Sequence, residues 1–151
     1  MIEGVTLTPL KQIFDERGKV MHMLRKDSAA FCGFGEIYFS CTYPGAIKAW
    51  HLHKHMTLNY AAISGEIRCV LFDDRLNSKT RGCVEEYNLS PENYFLLTVP
   101  PLVWNGWKGL GEDLSIVANC ASIPHDPDEI ERKRAWDERI PYDWNARINE
   151  T

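Results

Sequence analysis

The stretch Pro44-Gly45-Ala46-Ile47-Lys48-Ala49-Trp50-His51-Leu52-His53-Lys54-His55-Met56-Thr57-Leu58 decides how this chain is read. A turn pair, Pro44-Gly45, precedes a run in which every second residue from His51 to His55 is histidine. Successive side chains of an extended strand point to opposite faces, so His51, His53 and His55 are expected on one face. Imidazoles titrate near neutral pH and serve as bases or metal ligands. Three in a row on one face point to a site more than to packing.

Outward from this strand, short apolar runs alternate with turn signals at the spacing of a sandwich or barrel. Strands are predicted over residues 19–25, 36–42, 46–52, 58–64, 66–73, 82–89, 94–99 and 115–121. Pro44-Gly45, Ser64-Gly65, Asp73 to Asn77, Ser90 to Asn93 and Gly109-Leu110-Gly111 separate them. These residues supply the positive φ or the fixed φ that tight connections need. Asp126-Pro127-Asp128-Glu129 reads differently, as an N-cap with proline at the first helical position, and predicts a short helix over 126–139. Many strands and one late helix predict an all-β antiparallel barrel, with residues 1–151 as a single domain.

Composition narrows the function classes. With 44% hydrophobic and 25% charged residues, the chain can bury a core and is not of the disordered kind. A net charge of −4 opposes nucleic acid as a partner, because phosphate neutralisation needs clustered cations. The one basic cluster, Arg132-Lys133-Arg134, lies among acids and reads as the solvated face of the predicted helix. Five cysteines without a C-x-x-C pair read as free thiols of a reducing compartment. The first residues lack the basic start and apolar run of a signal peptide. The longest apolar run, 94–104, contains Pro100 and Pro101 and is too short for a bilayer. A cytoplasmic protein without a membrane partner is expected.

Gly45, His51, His53 and Gly65 fit the frame of the first cupin motif, and the chain resembles the cupins, which are jelly-roll barrels. Leu58 stands at that motif's glutamate position. Asn105 stands at the histidine of the second motif, which falls on residues 100–105. Two of the four usual ligands are replaced, and divalent metals normally take three or four. No metal and no other cofactor is therefore expected.

A closer resemblance covers most of the chain. Asp15-x-Arg17-Gly18, Lys48-Ala49-Trp50-His51, Asn88-Leu89-Ser90 and the run from Val99-Pro100-Pro101 to Gly106-Trp107 follow one another as in the dTDP-4-dehydrorhamnose 3,5-epimerase family. The resemblance implies a nucleotide-sugar isomerase that removes a proton α to the ketone of a 4-keto-6-deoxyhexose, at C3, C5 or both, in surface polysaccharide or deoxysugar synthesis. It implies His51 as the base, His53 in the catalytic site and Asp143 as the carboxylate that orients the base. Arg17 and Lys48 fall on residues that hold the nucleotide diphosphate. Glu36, Tyr38, Tyr60 and Asn105 are expected to contact substrate. The family's ketone-side lysine falls on Leu58 and its tyrosine acid on Ala118, so label from solvent is expected at one carbon, C3. His51-Leu52-His53-Lys54 also resembles the nucleotide-sugar 3,4-ketoisomerases, which share the substrate class. A cupin that binds sugar nucleotides without turnover is a third reading. Pairing of two copies through an edge strand, as the family does, predicts a homodimer.

Overall fold

The computed structural model describes residues 1–146. Among these residues there are twelve strands: β1 (Thr6–Pro9), β2 (Gln12–Asp15), β3 (Gly18–Met21), β4 (Glu36–Thr42), β5 (Ile47–His53), β6 (Leu58–Ser64), β7 (Glu66–Phe72), β8 (Val84–Leu89), β9 (Phe95–Val99), β10 (Trp104–Leu110), β11 (Ser115–Ala121) and β12 (Ile130–Arg132). They form one sheet in the order β1-β9-β6-β11-β4 and a second in the order β12-β5-β10-β7-β8. A separate hairpin joins β2 to β3. Every pairing is antiparallel, as in a cupin-type jelly roll.

Period-two alternation explains how the sheets pack. On β7, Ile67, Cys69 and Leu71 enter the core between the sheets with Leu58 and Tyr60 of β6, Leu97 and Val99 of β9 and Val117 of β11. Val70 and Phe72, from the opposite face of β7, join a second apolar cluster with Trp50, Leu52, Trp104, Ile140 and Trp144. That outer face of the second sheet is covered by the end of the chain. A strand buried on both faces reads as a continuous apolar run, and Cys69-Val70-Leu71-Phe72 is one.

The predicted helix over 126–139 does not form, and no helix occurs among the described residues. The residues that resemble an N-cap make a turn instead. The Glu129 N–H donates to the Asp126 carbonyl at 3.2 Å, and the Asp128 N–H donates to Asp126 Oδ1 at 2.9 Å. Asp at the first and Pro at the second position of a β-turn carry the same letters as a helix start. After the turn the chain is extended: β12 pairs with β5, Ile130 opposite His53 and Arg132 opposite His51. Lys133 extends the pairing by exchanging hydrogen bonds with Trp50, 2.9 and 3.1 Å. The basic cluster is thus no helical face; Lys133 Nζ lies 3.9 Å above the Trp104 ring.

The strand β10 is absent from the sequence reading because Gly106 and Gly109 disguise it. Both glycines are steric requirements. A Cβ on Gly106 would stand 2.5 Å from Ala49 Cβ and 2.9 Å from the Lys48 carbonyl, and one on Gly109 would stand 2.6 Å from the Tyr43 carbonyl. Close approach at Gly106 accompanies an irregularity in β5, where Asn105 pairs with His51 but Trp107 pairs with Lys48. Two residues, Ala49 and Trp50, face Gly106 alone. Such a bulge breaks the alternation and re-aims side chains.

Candidate active site

The bulge puts Lys48 on the same wall as His51 and His53, although strict alternation would send it to the other face. All three line a cavity of about 600 Å³ between the two sheets. Glu36, Tyr38 and Ser40 of β4 face them from the opposite sheet, and Tyr60 and Trp107 form the floor. Arg132 of β12 and His125 lie at the mouth. Leu52 and Trp50, alternating with the histidines, point into the outer apolar cluster and anchor the strand.

His53 is the most constrained group. Its Nδ1 contacts Glu129 Oε1, and both side chains are almost fully buried. Glu129 Oε2 accepts the backbone N–H groups of His55 at 3.2 Å and Met56 at 3.3 Å. Burial pushes the Glu129 carboxyl up, but the His53 and backbone hydrogen bonds outweigh it and hold the group below its ordinary range. The chain bends around this carboxylate, so β5 stops at His53 and His55 is exposed rather than on the cavity wall. The expected row of three histidines is a pair.

The His51 ring has no hydrogen-bond partner among the described residues. Burial lowers its pKa first, and the charges of Arg132, His53 and Lys48 push it further, down to about 4. Lys48 Nζ donates to Ser40 Oγ at 2.9 Å and to the Cys41 carbonyl at 2.6 Å, with no carboxylate in contact among the described residues. Asn105 Nδ2 donates to the His51 carbonyl at 3.1 Å, while Asn105 Oδ1 accepts the Tyr60 hydroxyl at 2.9 Å. Asn105 is fully buried and acts as a bracket between walls. Tyr38 differs from Tyr60 in one respect. Its oxygen accepts from Asn119 Nδ2 at 2.8 Å, which leaves its own proton uncommitted. Burial raises the Tyr38 pKa against the opposing Asn119 bond, so the hydroxyl stays protonated.

Two expected site residues lie elsewhere. Asp143 is exposed at the end of the chain, where Oδ1 accepts the Asn145 N–H at 2.8 Å. Glu129 is the carboxylate that contacts an imidazole, and it contacts His53. Arg17 is exposed on the β2–β3 hairpin, outside the cavity. There the Asp15-x-Arg17-Gly18 motif closes the turn: Asp15 accepts the Arg17 N–H at 2.8 Å and pairs with its guanidinium at 2.7 Å. Glu129 and Arg132 escaped the sequence reading. Their signal was the alternation Glu129-Ile130-Glu131-Arg132 directly after a turn. Among the described residues no three His, Cys, Asp or Glu side chains are grouped to hold a metal ion.

A family model described as dTDP-4-dehydrorhamnose 3,5-epimerase matches residues 1–151. The chain belongs to this family. It is 34% identical over 148 residues to the spore coat polysaccharide biosynthesis protein SpsL of Bacillus subtilis, covering 97% of this chain and 98% of that one. It is 33% identical over 160 residues to Agl13 of Haloferax volcanii, a probable low-salt glycan biosynthesis epimerase, covering 98% and 97%. The crystal structure of a dTDP sugar isomerase from Desulfovibrio desulfuricans G20 superposes with a TM-score of 0.94 at 44% identity, over 99% of this chain and 97% of that chain. Membership makes this chain an epimerase-type isomerase of nucleotide sugars. In the cavity of this chain, imidazoles face a tyrosine hydroxyl, with Lys48, Arg132 and Glu36 in the lining. Leu58, on which the resemblance places the family's ketone-side lysine, is buried in the core. Ala118, on which it places the tyrosine acid, is also buried and pairs with Phe39 on β11's neighbour β4.

Proposed function

We propose that the protein epimerises a nucleotide-linked 4-keto-6-deoxyhexose at one carbon next to the ketone, in the synthesis of a surface polysaccharide or glycan. The observation that carries this reading is the cavity itself. One wall holds the His51/His53 pair, and the facing wall holds the uncommitted Tyr38 hydroxyl. A proton next to a carbonyl is weakly acidic. Inverting its carbon needs a base on one face, an acid on the other and a donor to the enolate oxygen. Lys48 and Arg132 make no ion pair among the described residues, and they are the cations that suit a diphosphate. The two curated relatives, named for spore coat polysaccharide and glycan biosynthesis, supply the class of pathway. A cytoplasmic location fits the exposed free thiols of Cys32, Cys41 and Cys83.

Mass-spectrometric screening of a panel of 4-keto nucleotide sugars in D₂O tests the reading. One deuterium is expected, at C3 by NMR, because a single acid serves the cavity and Leu58 and Ala118 offer no second set of groups. Comparable label at C3 and C5 would show that the same groups serve both carbons, and no label on any substrate would refute the activity.

The site is expected to work in a homodimer built on β4. This edge strand turns Glu36, Tyr38 and Ser40 inward, while Ile37 and Phe39 are about half exposed on its outer face, followed by an exposed Tyr43. Exposed apolar side chains at every second position of an unpaired edge call for a cover. A second copy presenting the same stripe supplies one symmetrically. Light scattering is expected to give twice the chain mass for the wild type and the chain mass for Ile37→Glu/Phe39→Glu. A monomeric wild type at micromolar concentration would overturn the assignment.

A further inference from the structure

The two cavity histidines are not equivalent, and their surroundings suit them to different tasks. His53 gives its Nδ1 to the Glu129 carboxylate, which two backbone N–H groups fix from the other side. A carboxylate at that nitrogen requires Nδ1 to carry the hydrogen, so the unprotonated Nε2 is left for substrate. The same contact fixes the ring and stabilises the imidazolium that forms when Nε2 takes a proton. His51 has the reverse setting. No carboxylate touches it among the described residues, Lys48 shares its wall and Arg132 sits directly opposite it on β12. An imidazole among cations resists protonation and stays neutral, pushed down to about 4 by burial and then by Arg132, His53 and Lys48. An imidazole whose basicity is depressed in this way takes a proton poorly, yet it can donate one hydrogen bond to a carbonyl that becomes an enolate.

We propose that His53 is the base that removes the proton, with Glu129 as its positioning residue, and that His51 is the neutral donor to the ketone oxygen. The proposal rests on the epimerase reading above and reverses the roles implied by the family resemblance, which make His51 the base. In the step itself the carbon–hydrogen bond breaks and its proton bonds to His53 Nε2. The electron pair becomes the carbon–carbon double bond of the enolate, and the carbonyl pair moves to the oxygen held by His51. The Tyr38 hydroxyl then gives its proton to the opposite face of the same carbon, leaving tyrosinate and imidazolium to exchange a proton through solvent. The arrangement accounts for Leu58. The side chain at that position cannot donate to the ketone, and His51 supplies the missing donor.

The test uses the full chain with dTDP-4-keto-6-deoxyglucose in D₂O. His53→Asn is expected to lose deuterium incorporation by about 10²–10⁴-fold, the usual contribution of a positioned proton transfer, with nucleotide-sugar binding changed only a few-fold. Glu129→Gln is expected to lower kcat and to move the acid limb of the kcat/KM profile to lower pH. Without the carboxylate the Nδ1 hydrogen loses its charged acceptor and the ring is a weaker base; a purely structural loss would not move the limb. The groups facing the pair are Glu129 and Arg132 from the tail, Lys48 on the same strand, Glu36 and Tyr38 across the cavity and His125 at the mouth. His51→Asn leaves all of them in place, so it is expected to slow exchange while keeping the wild-type acid limb. Should His53→Asn fail to fold around an unpaired buried carboxylate, His53→Asn/Glu129→Gln replaces it. Exchange that survives loss of His53 but vanishes with His51→Asn overturns the proposal. If both variants lose exchange, the limb of Glu129→Gln decides: movement supports the proposal and a fixed limb overturns it. A wild type that binds the nucleotide sugar yet incorporates no deuterium refutes the epimerase reading instead.

Discussion

Tyr38→Phe is expected to separate proton removal from epimerisation. Phenylalanine keeps the ring in its place on β4 but offers no proton to the cavity, and Asn119 Nδ2 loses its acceptor. Removal of the substrate proton occurs at the other wall and does not need Tyr38. In D₂O the variant should therefore still wash deuterium into recovered substrate with its original configuration. Formation of the inverted product should fall by about 10²–10⁴-fold, the usual range for a general acid. If Tyr38 only positioned the sugar, exchange and inversion would fall together and KM would rise. Tyr60 is the internal comparison, since its proton is already given to Asn105 Oδ1. Tyr60→Phe is expected to act on stability rather than on inversion.

The second large effect lies outside the cavity. Trp144 is fully buried, with its ring 5.0 Å from Trp50 and 4.8 Å from Tyr142 and its Nε1 donating to the Ala135 carbonyl at 3.1 Å. Trp144→Ala empties the centre of the outer apolar cluster and is expected to cost about 3–5 kcal/mol. For a chain of this size that corresponds to a fall of roughly 10 °C in Tm. The effect should reach the site as well. Trp50 immediately precedes His51, and the segment that Trp144 fastens carries Glu129 and Arg132. A melting curve and the exchange rate measured on the same sample check both claims. A Tm within 2 °C or so of wild type would show that the end of the chain contributes no such stability.

Much of the barrel is legible from alternation. Strands β4, β6 and β11 have the predicted bounds, because each is a seven-residue run between clear turn signals. β10 is hidden because its two glycines serve close approach to neighbouring backbone and look like turn residues. The helix was misread because Asp-Pro-Asp is ambiguous between two backbone states, and long-range pairing with β5 decides between them. The site divides in the same way. His51, His53, Tyr38 and Tyr60 are visible because they lie on strands with clear periodicity, whereas Lys48 and Asn105 are visible only through their places in motifs, since alternation turns Lys48 away and β10 is disguised. Glu129 is distant in sequence from His53, and only folding reveals that the chain returns to bury it there. Asp143 and Arg17 lie outside the cavity of this chain: their motifs are present, and each carboxylate or guanidinium makes its contacts within its own turn.

The bulge opposite Gly106 also sets a rule for how this strand can change over evolutionary time. Residues 47–53 carry two registers, one before the interruption and one after, and only their offset lets a lysine and a histidine three positions apart share a wall. Point substitutions leave that phase untouched. A single-residue insertion or deletion between the bulge and His53 would invert it, trading the imidazoles for the apolar partners Trp50 and Leu52 in one event. The segment is therefore open to drift in chemistry but closed to drift in length, and divergent members of this lineage should differ here by residue identity alone.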